Sequence, residues 1–226
     1  LRNLPLFGLR NRRPAPLLLA DFHRQLHIDR TLRASIAWLG RRVCPILHRC
    51  GNQRRGVNEH RCEINLASEG ANVAINFFAS SAGAEETVAE IEKNGGKAIA
   101  VQGDLNNPED VDTLVAETVE TFGGVDVLVN NAGGLIARKK ISEMSLEHWQ
   151  AVMDLNLTST FLMVRACLPH MTKGTIVNLA SQAGRNVGGP GASAYATSKG
   201  AVMTFTRGLA KELGPDIRVN ALCTGM

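Results

Sequence analysis

The sequence predicts an α/β fold: a doubly wound parallel sheet with helices on both faces, in three layers. Short β-branched runs alternate with stretches of helical length, the pattern of repeated βα units. Two of those runs, Val125-Asp126-Val127-Leu128-Val129 and Ile176-Val177-Asn178-Leu179-Ala180, are apolar almost throughout, as strands buried on both faces are. The helical stretches stop at Gly95-Gly96, Gly123-Gly124 and Gly214-Pro215, which are strong stop signals.

In chain order, Ala71 to Phe77 reads as a strand and Ala82 to Lys93 as the helix after it. Ala98 to Val101 is the next strand, ending at Gln102-Gly103-Asp104-Leu105. Asn107-Pro108-Glu109-Asp110 opens a helix with a capping amide, proline at its first position and acids in its first turn. The strand from Val125 ends in Asn130-Asn131-Ala132-Gly133-Gly134, where small residues let the backbone approach a ligand and paired amides can brace neighbouring strands. Asn156 lies inside the long helix that follows, and the strand from Ile176 delivers Ser181 at its C-terminal end. A helix from about Ser193 to Leu213 carries Tyr195 and Lys199. Ligands of open parallel sheets bind beyond the C-terminal ends of the strands.

Tyr195, Lys199 and Ser181 together make a proton-transfer device. Positions four apart on a helix share a face. A phenol is a poor base near neutral pH, and an ammonium held beside it favours the phenolate. A serine hydroxyl can then hydrogen-bond a substrate oxygen as that oxygen gains or loses its proton.

From about Glu63 to Met226 the chain resembles the short-chain dehydrogenase/reductase family. The resemblance rests on Asn130 to Gly133, Asn156, Ser181, Tyr195 with Lys199, and Arg218-Val219-Asn220-Ala221, in the family's order and near its spacing. It implies a Rossmann-like fold and a catalytic tetrad of Asn156, Ser181, Tyr195 and Lys199. Tyr195 would be the acid/base, and Ser181 would steady the substrate oxygen. Lys199 would lower the tyrosine pKa and hold the nicotinamide ribose, and Asn156 would position a water linking Lys199 to solvent. Asp104 and Leu105 would contact the adenine, while Asn131, Ala132 and Gly133 line the cofactor path. Gly188-Gly189-Pro190-Gly191-Ala192-Ser193-Ala194-Tyr195 is most similar to the 3-oxoacyl-carrier-protein reductase and glucose dehydrogenase branch. The implied activity is an NAD(P)-dependent exchange between a carbonyl, such as a 3-oxoacyl thioester or similar ketone, and a secondary alcohol. The strand ending Asn76-Phe77-Phe78-Ala79-Ser80-Ser81 has no carboxylate for a ribose 2′-hydroxyl, which favours NADP, with NAD possible.

The front of the chain departs from this pattern. The family opens with a strand and a Thr-Gly-x-x-x-Gly-x-Gly loop that holds the pyrophosphate at a helix N-terminus. Here Gly51 and Gly56 are present, the last glycine is missing, and Pro45 to Arg49 is short and broken by charge. The first strand with its glycine loop is therefore predicted to be missing, and the chain as written is expected to be a poor dehydrogenase. Residues 1 to 62 hold 13 Arg, no Lys and 3 acids, a net of +10, whereas the whole chain carries +4. We expect two pieces: a basic segment over 1–62, reading like translation in a wrong frame, and a truncated oxidoreductase core over 63–226. At the back Thr224 stands where the family has proline, and the family's C-terminal strand is also expected to be missing.

Other readings of the basic segment are weaker. It is Ser-poor for a mitochondrial transit peptide and lacks aromatic platforms for single-stranded nucleic acid. Cys44, His48 and Cys50 with His60 and Cys62 match no common zinc spacing, so no metal is expected. No span is expected to be long enough to cross a membrane. Partners are expected to be a small carbonyl or alcohol substrate and further copies of the chain as a homotetramer, without nucleic acid or membrane. Cys167 and Cys223, in predicted helix and strand, suit reduced thiols and a cytoplasmic location. The competing class is a non-catalytic fragment or a binding module using the basic arm.

Overall fold

The computed structural model describes residues 45–49 and 57–60 as backbone, and residues 61–79 and 81–224 in full. Among the described residues, six strands form one parallel sheet in the order β3-β2-β1-β4-β5-β6. They are β1 (Pro45–Arg49), β2 (Asn72–Phe77), β3 (Lys97–Gln102), β4 (Val127–Asn130), β5 (Gly174–Ser181) and β6 (Ile217–Thr224). The order runs outward from β1 in both directions, the winding expected when right-handed crossovers put helices on both faces.

One expectation is overturned. Pro45–Arg49 is not missing from the sheet but is its central strand, with Ile46 opposite Ala74 on β2 and Leu128 on β4. Proline stands at its first position, where a lost N–H disturbs the ladder least. A short run with two neighbours is held by pairing on both edges, which local composition cannot reveal. The glycine loop region, residues 50–56, lies outside the described residues. Helix α1 (Val57–Ser68) spans the charge boundary at 62/63.

Helices α1 and α2 (Ala82–Lys93) cover one face. Their Leu66, Ala67, Ala84 and Ile91 pack with Val73, Ile75, Val127 and Val129. The other face takes α3 (Pro108–Phe122), α5 (Ser159–Cys167) and α7 (Ser193–Leu213), through Val111, Leu114, Met163, Cys167 and Leu209 against Ala74, Leu128 and Ile176. Alternation along β4 divides the core: Leu128 enters one cluster, Val127 and Val129 the other. The described residues also hold two shorter α-helices, α4 (Leu146–Met153) and α6 (Ala183–Asn186). The α3 cap is as predicted, with the Asn107 side chain accepting from the Glu109 N–H at 3.0 Å and Gly123 closing in the left-handed region.

The stretch Leu146–His170 corrects a second expectation. It is long and apolar enough to cross a membrane by length and composition, with 44% of its most apolar window buried. Its apolar side chains serve the core, since Leu162, Met163, Val164 and Cys167 all pack against the sheet. The stretch is not one regular helix, because Asp154–Thr158 is a π turn between α4 and α5.

Candidate active site

Every candidate site residue except Asn156, Tyr195 and Lys199 lies at or just past the C-terminal end of a parallel strand. Asp104 and Leu105 follow β3, Asn131 to Gly133 follow β4, and Ser181 ends β5. The sheet's geometry thus gathers them on one edge before any side chain is considered.

The tightest cluster is Gly133, Asn156 and Lys199. A Cβ on Gly133 would lie 2.6 Å from Asn156 Oδ1 and 2.6 Å from Lys199 Nζ, so any side chain there would have to displace one of them. Asn156 is fully buried in the π turn. Its Nδ2 donates to the Gly134 and Val152 carbonyls at 2.9 and 2.8 Å, and its Oδ1 accepts from the Gly134 N–H at 3.0 Å. The side-chain amide pairs with Gly134 as a strand would, tying the helix to the loop after β4. The extra residue of a π turn displaces a side chain from the regular helical phase, and such turns recur at functional sites.

Lys199 is 3% exposed, and its Nζ donates to the Leu179 carbonyl at 2.6 Å. Leu179 lies two residues before Ser181, whose Oγ accepts from the Ala183 N–H at 3.2 Å. Tyr195 is half-buried one helical turn before Lys199 on α7. Helix α7 therefore brings Lys199 onto the strand that ends in Ser181, with Tyr195 one turn earlier on the same helix.

Asp104 and Leu105 are placed by the turn after β3. The Asp104 N–H donates to Asp110 Oδ2 at 2.8 Å, and Asp104 Oδ1 accepts from the Asn106 N–H at 2.9 Å. Leu105 is 5% exposed and belongs to the core. Asn131 is half-buried, and Ala132 is buried.

Several residues that position the site were not singled out from the sequence. Gly184 and Gly200 let α6 and α7 meet backbone to backbone, since a Cβ on Gly184 would stand 2.7 Å from the Gly200 nitrogen and 2.8 Å from the Lys199 carbonyl carbon. Asn76, fully buried, donates to the Val101 and Gly103 carbonyls at 3.2 and 3.1 Å and shapes the backbone leading into Asp104. The signal for Asn76 was legible: an amide inside an otherwise apolar strand needs a partner. Two loops also meet near the cleft, where Arg138 Nη1 donates to the Pro190 carbonyl at 3.1 Å and the Lys139 N–H to the Gly191 carbonyl at 3.0 Å. These loops hold Ile136 and Val187 at φ +58° and +68°, a region costly for β-branched residues.

Comparisons with known proteins bear on the family and the fold. The short chain dehydrogenase family model matches residues 59–226. A 3-oxoacyl-[acyl-carrier-protein] reductase of Synechocystis sp. is 44% identical over 166 residues, covering 72% of this chain and 66% of the relative. Glucose 1-dehydrogenase 2 of Bacillus subtilis is 40% identical over 165 residues, covering 71% and 64%. The match thus spans just under two thirds of the length of these relatives. Among solved structures, a dehydrogenase/reductase from Sinorhizobium meliloti superposes with a TM-score of 0.75 at 32% identity, covering 87% of this chain and 76% of that one. An NADH-dependent reductase, A1-R′, complexed with NAD, has a TM-score of 0.74 at 28% identity, covering 81% and 78%. The fold, the ordered cluster at the strand ends and the family match coincide: this chain belongs to the short-chain dehydrogenase family.

Proposed function

We propose that this chain is the core of an NAD(P)-dependent oxidoreductase that interconverts a ketone and a secondary alcohol. The observation that carries the reading is the cluster of half-buried Gly133 with buried Asn156 and Lys199 at the strand edge that also bears Ser181. A backbone that a Cβ would obstruct, beside a lysine, fits the ribose and nicotinamide end of a dinucleotide. Lys199 and Tyr195 would hold that ribose, Asn131, Ala132 and Gly133 would line the path, and Asp104 and Leu105 would meet the adenine. The bound cofactor supplies or accepts the hydride.

The chain's own residues handle the proton. Ser181 Oγ hydrogen-bonds the substrate oxygen and orients the carbonyl. Tyr195 gives a proton to that oxygen during reduction and takes it back during oxidation. Lys199 keeps a positive charge near the phenol, which stabilises negative charge developing there. Asn156, bonded to Gly134, holds the loop that faces Lys199, and a water between its helix and Lys199 would relay the proton to solvent.

Names of relatives support a 3-oxoacyl thioester or similar ketone as substrate, since several are 3-oxoacyl-[acyl-carrier-protein] reductases. NADP is favoured over NAD, because β2 and the residues after it, Phe77 to Ser81, offer no carboxylate, Ser80 lying outside the described residues. A homotetramer is proposed, with the exposed apolar side chains Phe161 and Leu146 as candidate contact surface. A cytoplasmic location is proposed because Cys167 and Cys223, in helix and strand, suit reduced thiols.

The test is NADPH oxidation with an acetoacetyl thioester by a chain extended to its relatives' length and given their glycine loop. Tyr195→Phe should leave less than about a tenth of the parent rate with cofactor affinity nearly unchanged, whereas Lys199→Ala should weaken both. A phenylalanine variant retaining most of the rate would rule out Tyr195 as the acid/base. A kcat/KM with NADH equal to or above that with NADPH would overturn the cofactor preference.

A further inference from the structure

A chain of three buried polar side chains crosses the middle of the molecule. Asn130 Nδ2 donates to Asn178 Oδ1 at 2.9 Å, and Asn178 Nδ2 donates to Thr206 Oγ1 at 3.0 Å. The Thr206 hydroxyl in turn donates to the Val202 carbonyl at 2.7 Å. Their exposures are 5%, 0% and 4%, within the apolar layer formed by Leu128, Ile176 and Leu209. Every proton in this chain has one direction, because Asn178 accepts with its oxygen and donates with its nitrogen while Thr206 accepts and donates once each.

The three residues sit on the three elements that carry the candidate chemistry. Asn130 immediately precedes Asn131 to Gly133. Asn178 lies opposite Asn130 in the β4–β5 register and three residues before Ser181. Thr206 lies seven residues after Lys199 and eleven after Tyr195 on α7. We infer that Asn178 and Thr206 are positioning residues, and that the Asn130–Asn178–Thr206 chain sets where α7 lies along β5 and hence where Tyr195 stands relative to Ser181.

The physical reason is that apolar packing is non-directional. Val202 and Leu209 keep α7 on the sheet, but they tolerate a small slide or rotation of the helix. Hydrogen bonds do not tolerate it, because they weaken steeply with angle. Helix α7 is anchored to β5 at two points: Lys199 Nζ on the Leu179 carbonyl, and Thr206 Oγ1 on Asn178. Two points on one helix and one strand fix both axial position and rotation. In the proposed function Lys199 is committed to the reaction, so Thr206 is the anchor that stays put while it proceeds. Tyr195 lies about 16 Å along the axis from Thr206, so a tilt of about 5° there moves Tyr195 by more than about 1 Å. A misplacement of that size is on the order of a 10²-fold loss in rate.

The test has two arms, and only the turnover arm rests on the functional reading. In the 226-residue chain, hydrogen exchange by mass spectrometry is followed in peptides covering 193–202 and 207–213. Thr206→Val, which keeps the shape and removes the hydroxyl, should speed exchange in 193–202 about tenfold and change 207–213 little, because the freed end is the one bearing Tyr195. Thr206→Ser, which keeps the hydroxyl, should exchange like the parent. Where valine is not tolerated, Thr206→Ala is compared with Thr206→Ser in the same way. In the extended enzyme described above, Thr206→Val should lower kcat at least about tenfold with KM for NADPH changed less than about threefold. Exchange raised equally at both ends, or a serine variant as loose as the valine one, would overturn the inference. So would parental kcat in Thr206→Val. A parent without turnover would count against the proposed function alone, leaving the exchange arm to decide the positioning role.

Discussion

The two wings of the sheet are held together differently. On the β2–β3 wing, Asn76 reaches across to the Val101 and Gly103 carbonyls. On the β4–β5 wing, Asn130, Asn178 and Thr206 form one chain, Asn156 clamps Gly134, and Lys199 holds Leu179. Under the proposed function the difference matches what each wing would do. An adenine on the first wing would be gripped by shape. A proton moves only between atoms within hydrogen-bond reach. Directional bonds are concentrated where the tolerance for misplacement is smallest.

The largest way to break the contrast is Gly133→Ala. Its Cβ, 2.6 Å from both Asn156 Oδ1 and Lys199 Nζ, must displace one of them. Turnover in the extended enzyme should fall by about 10² or more, read by steady-state kinetics, with far less effect on stability. Next is Gly184→Ala, whose Cβ meets the Gly200 and Lys199 backbone at 2.7 and 2.8 Å. Main chain cannot rotate aside as a side chain can, so urea denaturation should show a loss of about 1–3 kcal/mol. Turnover should fall too, because α6 and α7 are forced apart beside Ser181 and Lys199.

Asn76→Leu sharpens the comparison from the other wing. It should destabilise by about 1–3 kcal/mol through carbonyls left short of a donor. Its kinetic effect should fall on KM for the cofactor rather than kcat. A kcat loss as deep as that of Gly133→Ala would erase the proposed division between the wings.

The smallest effects are expected at the helix starts, remote from both wings. Ser145 caps α4 by accepting from the His148 N–H at 3.1 Å, and Ser145→Ala should cost about 1 kcal/mol in thermal or urea unfolding. The same start holds the Glu147 carboxyl below its usual range, first through its own backbone N–H and then through the Ser145 hydroxyl. A depressed carboxylate pKa stabilises the fold above the unfolded value, and that contribution is lost as pH falls through the folded one. An NMR titration should place Glu147 below an ordinary glutamate, and Ser145→Ala should move it back upward.

Much of this architecture was legible in the sequence. Helix α2 begins and ends where its composition and the Gly95-Gly96 stop predict, and α3 and α7 follow their caps and stops. The clustering of Asn131 to Gly133 and Ser181 on one edge followed from strand order and strand ends. What escaped depended on distant partners. Pro45–Arg49 becomes a strand because β2 and β4 leave a gap between them, not because its own residues demand it. Gly184 and Gly200 look like ordinary glycines until two backbones meet. Asn178 sat in a run read for its β-branched neighbours, and Thr206 in a helix read for Tyr195 and Lys199.

The π turn at Asp154–Thr158 makes chain length itself part of the site. A π turn holds one residue more than an α-helical turn over nearly the same rotation, so deleting one residue there and rewinding it as α-helix would keep α4 and α5 close to their present phase. Val152 and the rest of the buried side of α4 would stay on the core, while Asn156 would lose the displaced position from which it meets Gly134. The extra residue is thus tied to the site and not to the core. A one-residue deletion here should remove the Asn156–Gly134 clamp at little cost in packing.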